Sequence, residues 1–149
     1  MLIVDYLNKD FVLADLAART KSDVLRELVA PLKGRVDGVD PERACQVLFE
    51  REQLGTTGIG DGVAIPHGKL DTLERIVVVV GRSIPGVDFE ALDYAPCHIF
   101  FLVLAPEQVA GMHLRVLAQI SRTLKDETFR QQFMAAEGVD GLWNLLSGV

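Results

Sequence analysis

The sequence is short of cysteine, histidine and positive charge, and each shortage removes a class of function. Among 149 residues there are two cysteines, Cys45 and Cys97, with neither a CxxC spacing nor a metal-like pattern around them. That excludes a disulfide framework and leaves two buried, reduced thiols as the expectation, which suits a cytoplasmic protein. The three histidines, at positions 67, 98 and 113, form no HxH, HExxH or comparable constellation, so no metal site is expected. Fifteen basic against 21 acidic side chains give a formal charge of −6, which argues against nucleic acid as a partner. The longest uninterrupted apolar run, Ile99 to Ala105, falls far below the ~20 residues needed to cross a bilayer. The opening string MLIVDYLNKD lacks a basic region followed by an apolar one, so neither membrane insertion nor export by a signal peptide is expected. Internal repeats and low-complexity tracts are also missing, and a single domain over residues 1–149 is the expectation.

What is present is ordinary globular composition, 49% hydrophobic and 24% charged. Short apolar runs between Leu2 and Asp15 suggest a small strand or two. From Lys21 to Leu32 the positions Val24, Leu25, Leu28, Val29 and Leu32 follow helical spacing, with Ser22 as N-cap and Pro31 implying an early stop or a kink. A second helix starts at Asp40 and Pro41 and runs to about Gln53. Five glycines then fall within GTTGIGDGVAIPHG, residues 55–68, which reads as a loop. Ile76 to Val80 and Ile99 to Leu104 read as strands covered on both faces. Helical patterns follow at about Glu107 to Lys125, Asp126 to Ala136 and Val139 to Leu146. The expected class is α+β, an α/β/α three-layer fold whose mixed sheet has helices on both faces.

Four groups of residues stand out chemically. His67 lies between Pro66 and Gly68, where the backbone is fixed on one side and uncrowded on the other, and imidazole is a nucleophile near neutral pH. The alternative is a polar turn residue. His113 shares a helical face with Val116, Leu117, Ile120 and Leu124, so it points with the core, while Arg115 and Arg122 point away. A core histidine satisfied by a carbonyl is the competing reading. Arg51 continues the inward stripe of Ala44, Val47 and Leu48 and sits beside the glycine loop, as an anion contact or as a cap on the last helical carbonyls. The loop matches neither a P-loop nor a dinucleotide fingerprint. Its backbone at Gly58 and Gly68, with the Thr56 and Thr57 hydroxyls, could still form an anion nest; a flexible surface loop is the alternative. His98 reads as structural.

Together these strings are more specific than any one of them. Residues 51–70, REQLGTTGIGDGVAIPHGKL, resemble the active-site segment of the type-2 enzyme IIA proteins of the bacterial phosphotransferase system, the mannitol/fructose class. Asp88-Phe89, Ala91-Leu92-Asp93, FFLVLAPE, His113-Leu114 and LAQISRTLKD resemble the family's second half, and the nitrogen-regulatory members carry this TGIG form of the loop. The resemblance implies that His67 is phosphorylated by the phosphohistidine of an HPr-type carrier. It implies that His113 supports the phosphoryl group and that Arg51 and Thr57 line the pocket, with no metal or other cofactor. It further implies a regulatory output through target proteins. The alternatives are a sugar-transport IIA that passes the phosphoryl group to a IIB protein, and a non-covalent anion-binding module. Tyr94-Ala95 and His98 depart from the family's usual residues, away from the motif.

Overall fold

Two apolar runs organise the molecule, a computed structural model that describes residues 3–149. They form β5 (Val77–Val87) and β6 (Cys97–Ala105), which pair antiparallel through the centre of a six-stranded mixed sheet. The strand β1 (Leu7–Leu13) lies parallel to β5 on one side, preceded by a 3-10 turn over Ile3–Tyr6. Leu2, part of the first expected apolar run, lies outside the described residues. On the other side of β6 the glycine-rich stretch supplies β2 (Gly58–Gly60), β3 (Val63–Ala64) and β4 (His67–Lys69), with β3 and β4 both parallel to β6. The stretch expected to be loop is therefore partly sheet. Its composition conceals this because β3 and β4 are specified by the edge of β6, β2 by pairing antiparallel with β3, and strands of two or three residues carry no pattern of their own. The turn between β2 and β3 takes positive φ at Gly60, Asp61 and Gly62 in succession, which explains two of the glycines.

The helices are α1 (Lys21–Val29), α2 (Pro41–Gln53), α3 (Ala110–Lys125), α4 (Glu127–Ala135) and α5 (Gly138–Leu146). The cap of α1 is Thr20, whose hydroxyl accepts from the Asp23 N–H, and not Ser22, which lies within the first turn. As Pro31 predicts, the α-helix ends at Val29 and tightens into a 3-10 turn over Ala30–Leu32. Asp40 caps α2 through the Glu42 N–H, with Pro41 opening the helix.

The pleat of β6 assigns each helix to a face. Gly81 pairs with Phe100, and a Cβ on Gly81 would run into Leu28 of α1, so this face belongs to α1. Leu104 shares the face. Its partner Gly68 has Val47 of α2 directly above it. Phe101 points the opposite way and meets Phe133 of α4, with ring centroids 6.0 Å apart. Val103 points with Phe101, and its neighbour in β4 is His67. Alternation alone thus turns His67 away from α2 and towards α3. The buried Arg82 locks the layers: Nε donates to the Ala14 carbonyl, and Nη1 to the carbonyls of Phe133 and Ala136. No helix among the described residues is long and apolar enough to cross a membrane.

Candidate active site

Pro66 creates the site by interrupting the sheet edge. Having no N–H, it separates β3 from β4, although its carbonyl still accepts from the Val103 N–H at 2.9 Å. The preceding carbonyl, of Ile65, turns towards His67 and lies 2.8 Å from Nδ1. A carbonyl only accepts, so Nδ1 carries the hydrogen and Nε2 of the neutral ring keeps its lone pair. Burial lowers the pKa of His67, with the Arg51 charge acting in the same direction, while the Ile65 carbonyl and the Glu52 carboxylate oppose the shift. The half-buried ring is therefore neutral at physiological pH, with a free nitrogen.

His113 faces it from α3. The two rings meet edge to face, centroids 5.9 Å apart and planes at 72°. As the helical spacing predicts, His113 is buried with Val116, Ile120 and Leu124. Burial, then the charges of His67 and Lys69, push its pKa down to about 4, so it is neutral at pH 7. The carbonyl partner that a structural core histidine would have is missing from Nε2, which is buried and makes no hydrogen bond. An orphaned buried polar atom costs roughly 1–3 kcal/mol, a cost that a bound hydrogen-bonding group would remove.

A cavity of about 210 Å³ opens between the two helical layers at this point, lined by His67, Arg51, Thr56 and Thr57 together with Ile59, Leu117 and Ser121. Arg51, in the last turn of α2, donates Nη1 to the Gly55 carbonyl at 2.9 Å and keeps further guanidinium donors for an anion. The buried stripe of α2 is, however, Ala44, Cys45, Leu48 and Glu52, and Arg51 lies at its margin. Thr57 lines the cavity with both of its donors already engaged, its N–H (3.0 Å) and its hydroxyl each going to the Glu52 carboxylate. Gly58 and Gly68 lie close by but serve as packing contacts. A Cβ on Gly58 would sit 2.8 Å from the Ala91 Cβ, and one on Gly68 would sit 2.6 Å from Val47 Cγ1. The Gly58 N–H is taken by Thr56 Oγ1 at 3.1 Å. His98 donates from Nδ1 to the Ser83 carbonyl at 2.9 Å, a structural role.

Sequence reasoning missed Glu52 and Ser121. Both had a signal: Glu52 follows Ala44 and Leu48 at steps of four, and Ser121 follows His113 and Leu117 in the same way.

Residues 5–149 match the family model described as "Phosphoenolpyruvate-dependent sugar phosphotransferase system, EIIA 2". A nitrogen regulatory protein of Bradyrhizobium diazoefficiens is 37% identical over 147 residues, covering 99% of this chain and 95% of the relative. Among solved structures, the nitrogen regulatory protein IIA-Ntr of Neisseria meningitidis superposes with a TM-score of 0.88 at 27% identity, covering 97% of this chain and 98% of that one. The fold is also shared by Escherichia coli enzyme IIAMtl, solved in complex with phosphorylated enzyme IIBMtl (TM-score 0.79, 24% identity, 95% of this chain and 97% of that one).

Proposed function

From the premise that the chain belongs to the phosphotransferase-system EIIA 2 family, and is thus an EIIA-type phosphocarrier, we propose that Nε2 of His67 is its phosphoryl acceptor. The observation that carries this is the edge-to-face pairing of two neutral imidazoles, centroids 5.9 Å apart. One has a free lone pair because its other nitrogen donates to Ile65; the other has a buried nitrogen with no partner. In the transfer, the Nε2 lone pair of His67 forms the new P–N bond. The P–N bond on the donor breaks, and its electron pair stays with the donor imidazole. Nδ1–H remains on His67, where the Ile65 carbonyl stabilises the positive charge that develops on the ring. Nε2–H of His113 supplies a hydrogen bond to a phosphoryl oxygen, and Arg51 supplies charge. Catalysis here is positioning plus charge neutralisation.

The donor in this proposal is the phosphohistidine of an HPr-type carrier, and residues 1–149 work as a single EIIA domain in the cytoplasm. Cys45 and Cys97, both buried free thiols, are in keeping with a reducing compartment. The similarity to nitrogen regulatory proteins supports a regulatory output, in which phosphorylation changes the partner bound. The mannitol complex favours a second reading, delivery to a IIB protein.

The test is covalent. Incubation with phosphoenolpyruvate, enzyme I and the HPr-type carrier gives an acid-labile mass gain of one phosphoryl group. His67→Ala abolishes the gain; His113→Ala leaves some acceptance but impairs transfer or the lifetime of the phosphorylated form. No gain in wild type refutes the carrier reading and favours a non-covalent anion site, and equal loss in both folded variants refutes the division of roles. Loss of the label to an added IIB protein selects the transport output.

A further inference from the structure

One ion pair near the site has no part in that chemistry. Lys21 Nζ lies 2.9 Å from Glu52 Oε1, with the two side chains only 17% and 5% exposed. The pair between Arg26 and Asp23 is 60% and 64% exposed, that between Arg35 and Asp10 54% and 66%. Buried pairs carry a desolvation cost that surface pairs avoid, so this one calls for a structural return.

The return is visible in the contacts. Glu52 receives Lys21 and both donors of Thr57, so its carboxylate is filled by three charge-assisted or backbone hydrogen bonds. Lys21 also donates to Thr56 Oγ1 at 3.5 Å and stands 4.8 Å over the Phe89 ring. Thr56 Oγ1 accepts from the Gly58 N–H at 3.1 Å and donates to the Phe89 carbonyl at 3.4 Å, which satisfies the hydroxyl fully. Two side chains therefore bind four segments together: the start of α1, the end of α2, the glycine stretch and residues 88–90. Both cavity threonines are held by this network, and Glu52 is the residue next to Arg51.

We propose that Lys21 and Glu52 are a positioning pair that holds Thr56, Thr57 and the end of α2 in the geometry that receives the phosphoryl group on His67. The proposal rests on the phosphocarrier reading of His67. Lys21 touches no reacting atom, and its effect passes through Glu52 and the two threonines. The Glu52 charge also opposes the lowering of the His67 pKa, so the pair acts on the acceptor electrostatically as well.

Three variants test it in the phosphoryl-transfer assay. Lys21→Met and Glu52→Gln lower the transfer rate at saturating donor by about tenfold or more, with the half-saturating donor concentration within about twofold, because positioning acts on the transition state. Lys21→Arg restores most of the rate. Amide exchange at Thr57 speeds up by a similar factor in Lys21→Met, and the His67 titration moves to lower pH in Glu52→Gln. Wild-type transfer rates, or unchanged Thr57 exchange, in a folded Lys21→Met overturn the proposal. Should Lys21→Met lose the fold, Glu52→Gln, which keeps an oxygen for Thr57, decides on the same criteria. A wild-type control that takes up no phosphoryl group overturns the reading of His67 itself, before any variant is compared.

Discussion

Lowering the pH from 7 towards 4 destabilises this protein through His113, and replacing that one residue removes the effect. The group is 5% exposed and its pKa falls from 6.5 to about 4 on folding, chiefly through burial. Between those two values the unfolded chain binds a proton that the folded one refuses. Stability is therefore complete above pH 6.5 and declines as the pH drops to about 4. The gap of 2.5 pH units (6.5 minus 4), at about 1.36 kcal/mol per unit, amounts to about 3 kcal/mol. Urea denaturation across this range, on wild type and His113→Gln, reads the quantity directly. Carboxylates titrate in both proteins and cancel in the difference, whereas the repulsion between His67 and His113 is lost with His113 and is part of what the difference reads. The two curves should therefore converge or cross as the pH falls, wild type losing about 3 kcal/mol more than the variant. Parallel curves would refute the reasoning, because they would mean that His113 accepts its proton without leaving the folded state.

Phosphorylation should reverse that shift: a phosphoryl group beside His113 raises its pKa, so its NMR titration moves above about 4 in the phosphorylated protein and stays low in the free one. Arg82→Met leaves the Ala14, Phe133 and Ala136 carbonyls without their donor and costs about 3 kcal/mol in denaturant titrations, with amide exchange accelerated first in α4. Gly58→Ala drives a methyl group into Ala91 and destabilises by about 1–3 kcal/mol, and adding Ala91→Gly recovers part of the loss in the same measurement.

Much of this arrangement is written locally in the chain. Asp40 and Pro41 carry the start of α2 between them, and Pro31 carries the end of α1, because caps and breakers act on their own turn. The inward direction of His113 follows from periodicity, since Val116, Ile120 and Leu124 share its face whatever lies opposite. What could not be read is non-local. The strands β3 and β4 exist because β6 offers an edge, with β2 folding back on β3, and β6 comes some thirty residues later. On α2 the choice between Arg51 and Glu52 as the buried residue turns on Lys21, which opens a different helix. Burying a carboxylate makes sense only once that ammonium is in place. The pairing of His67 with His113 likewise requires the pleat register of β4 against β6, which no local string encodes.

The formal charge of −6 is a property of the whole surface and says little about the cavity. There, His67 is neutral with the neutral His113 against it, and Arg51 is the charged side chain of the lining. A phosphoryl group adds about −1.5 to −2, so the local sign changes from positive to negative in one step. The neighbouring exposed side chains amplify the contrast. Leu54, three residues beyond Arg51, is 86% exposed, and Leu114, beside His113, is 67% exposed. An apolar contact is the same whether or not a nearby group is charged. Discrimination then falls to the one charge that changes, which a site with ionised histidines or an unpaired carboxylate would already have blurred. On the proposed reading of His67, the low histidine pKa values therefore leave the Arg51 charge as the one that a transferred phosphoryl group overturns.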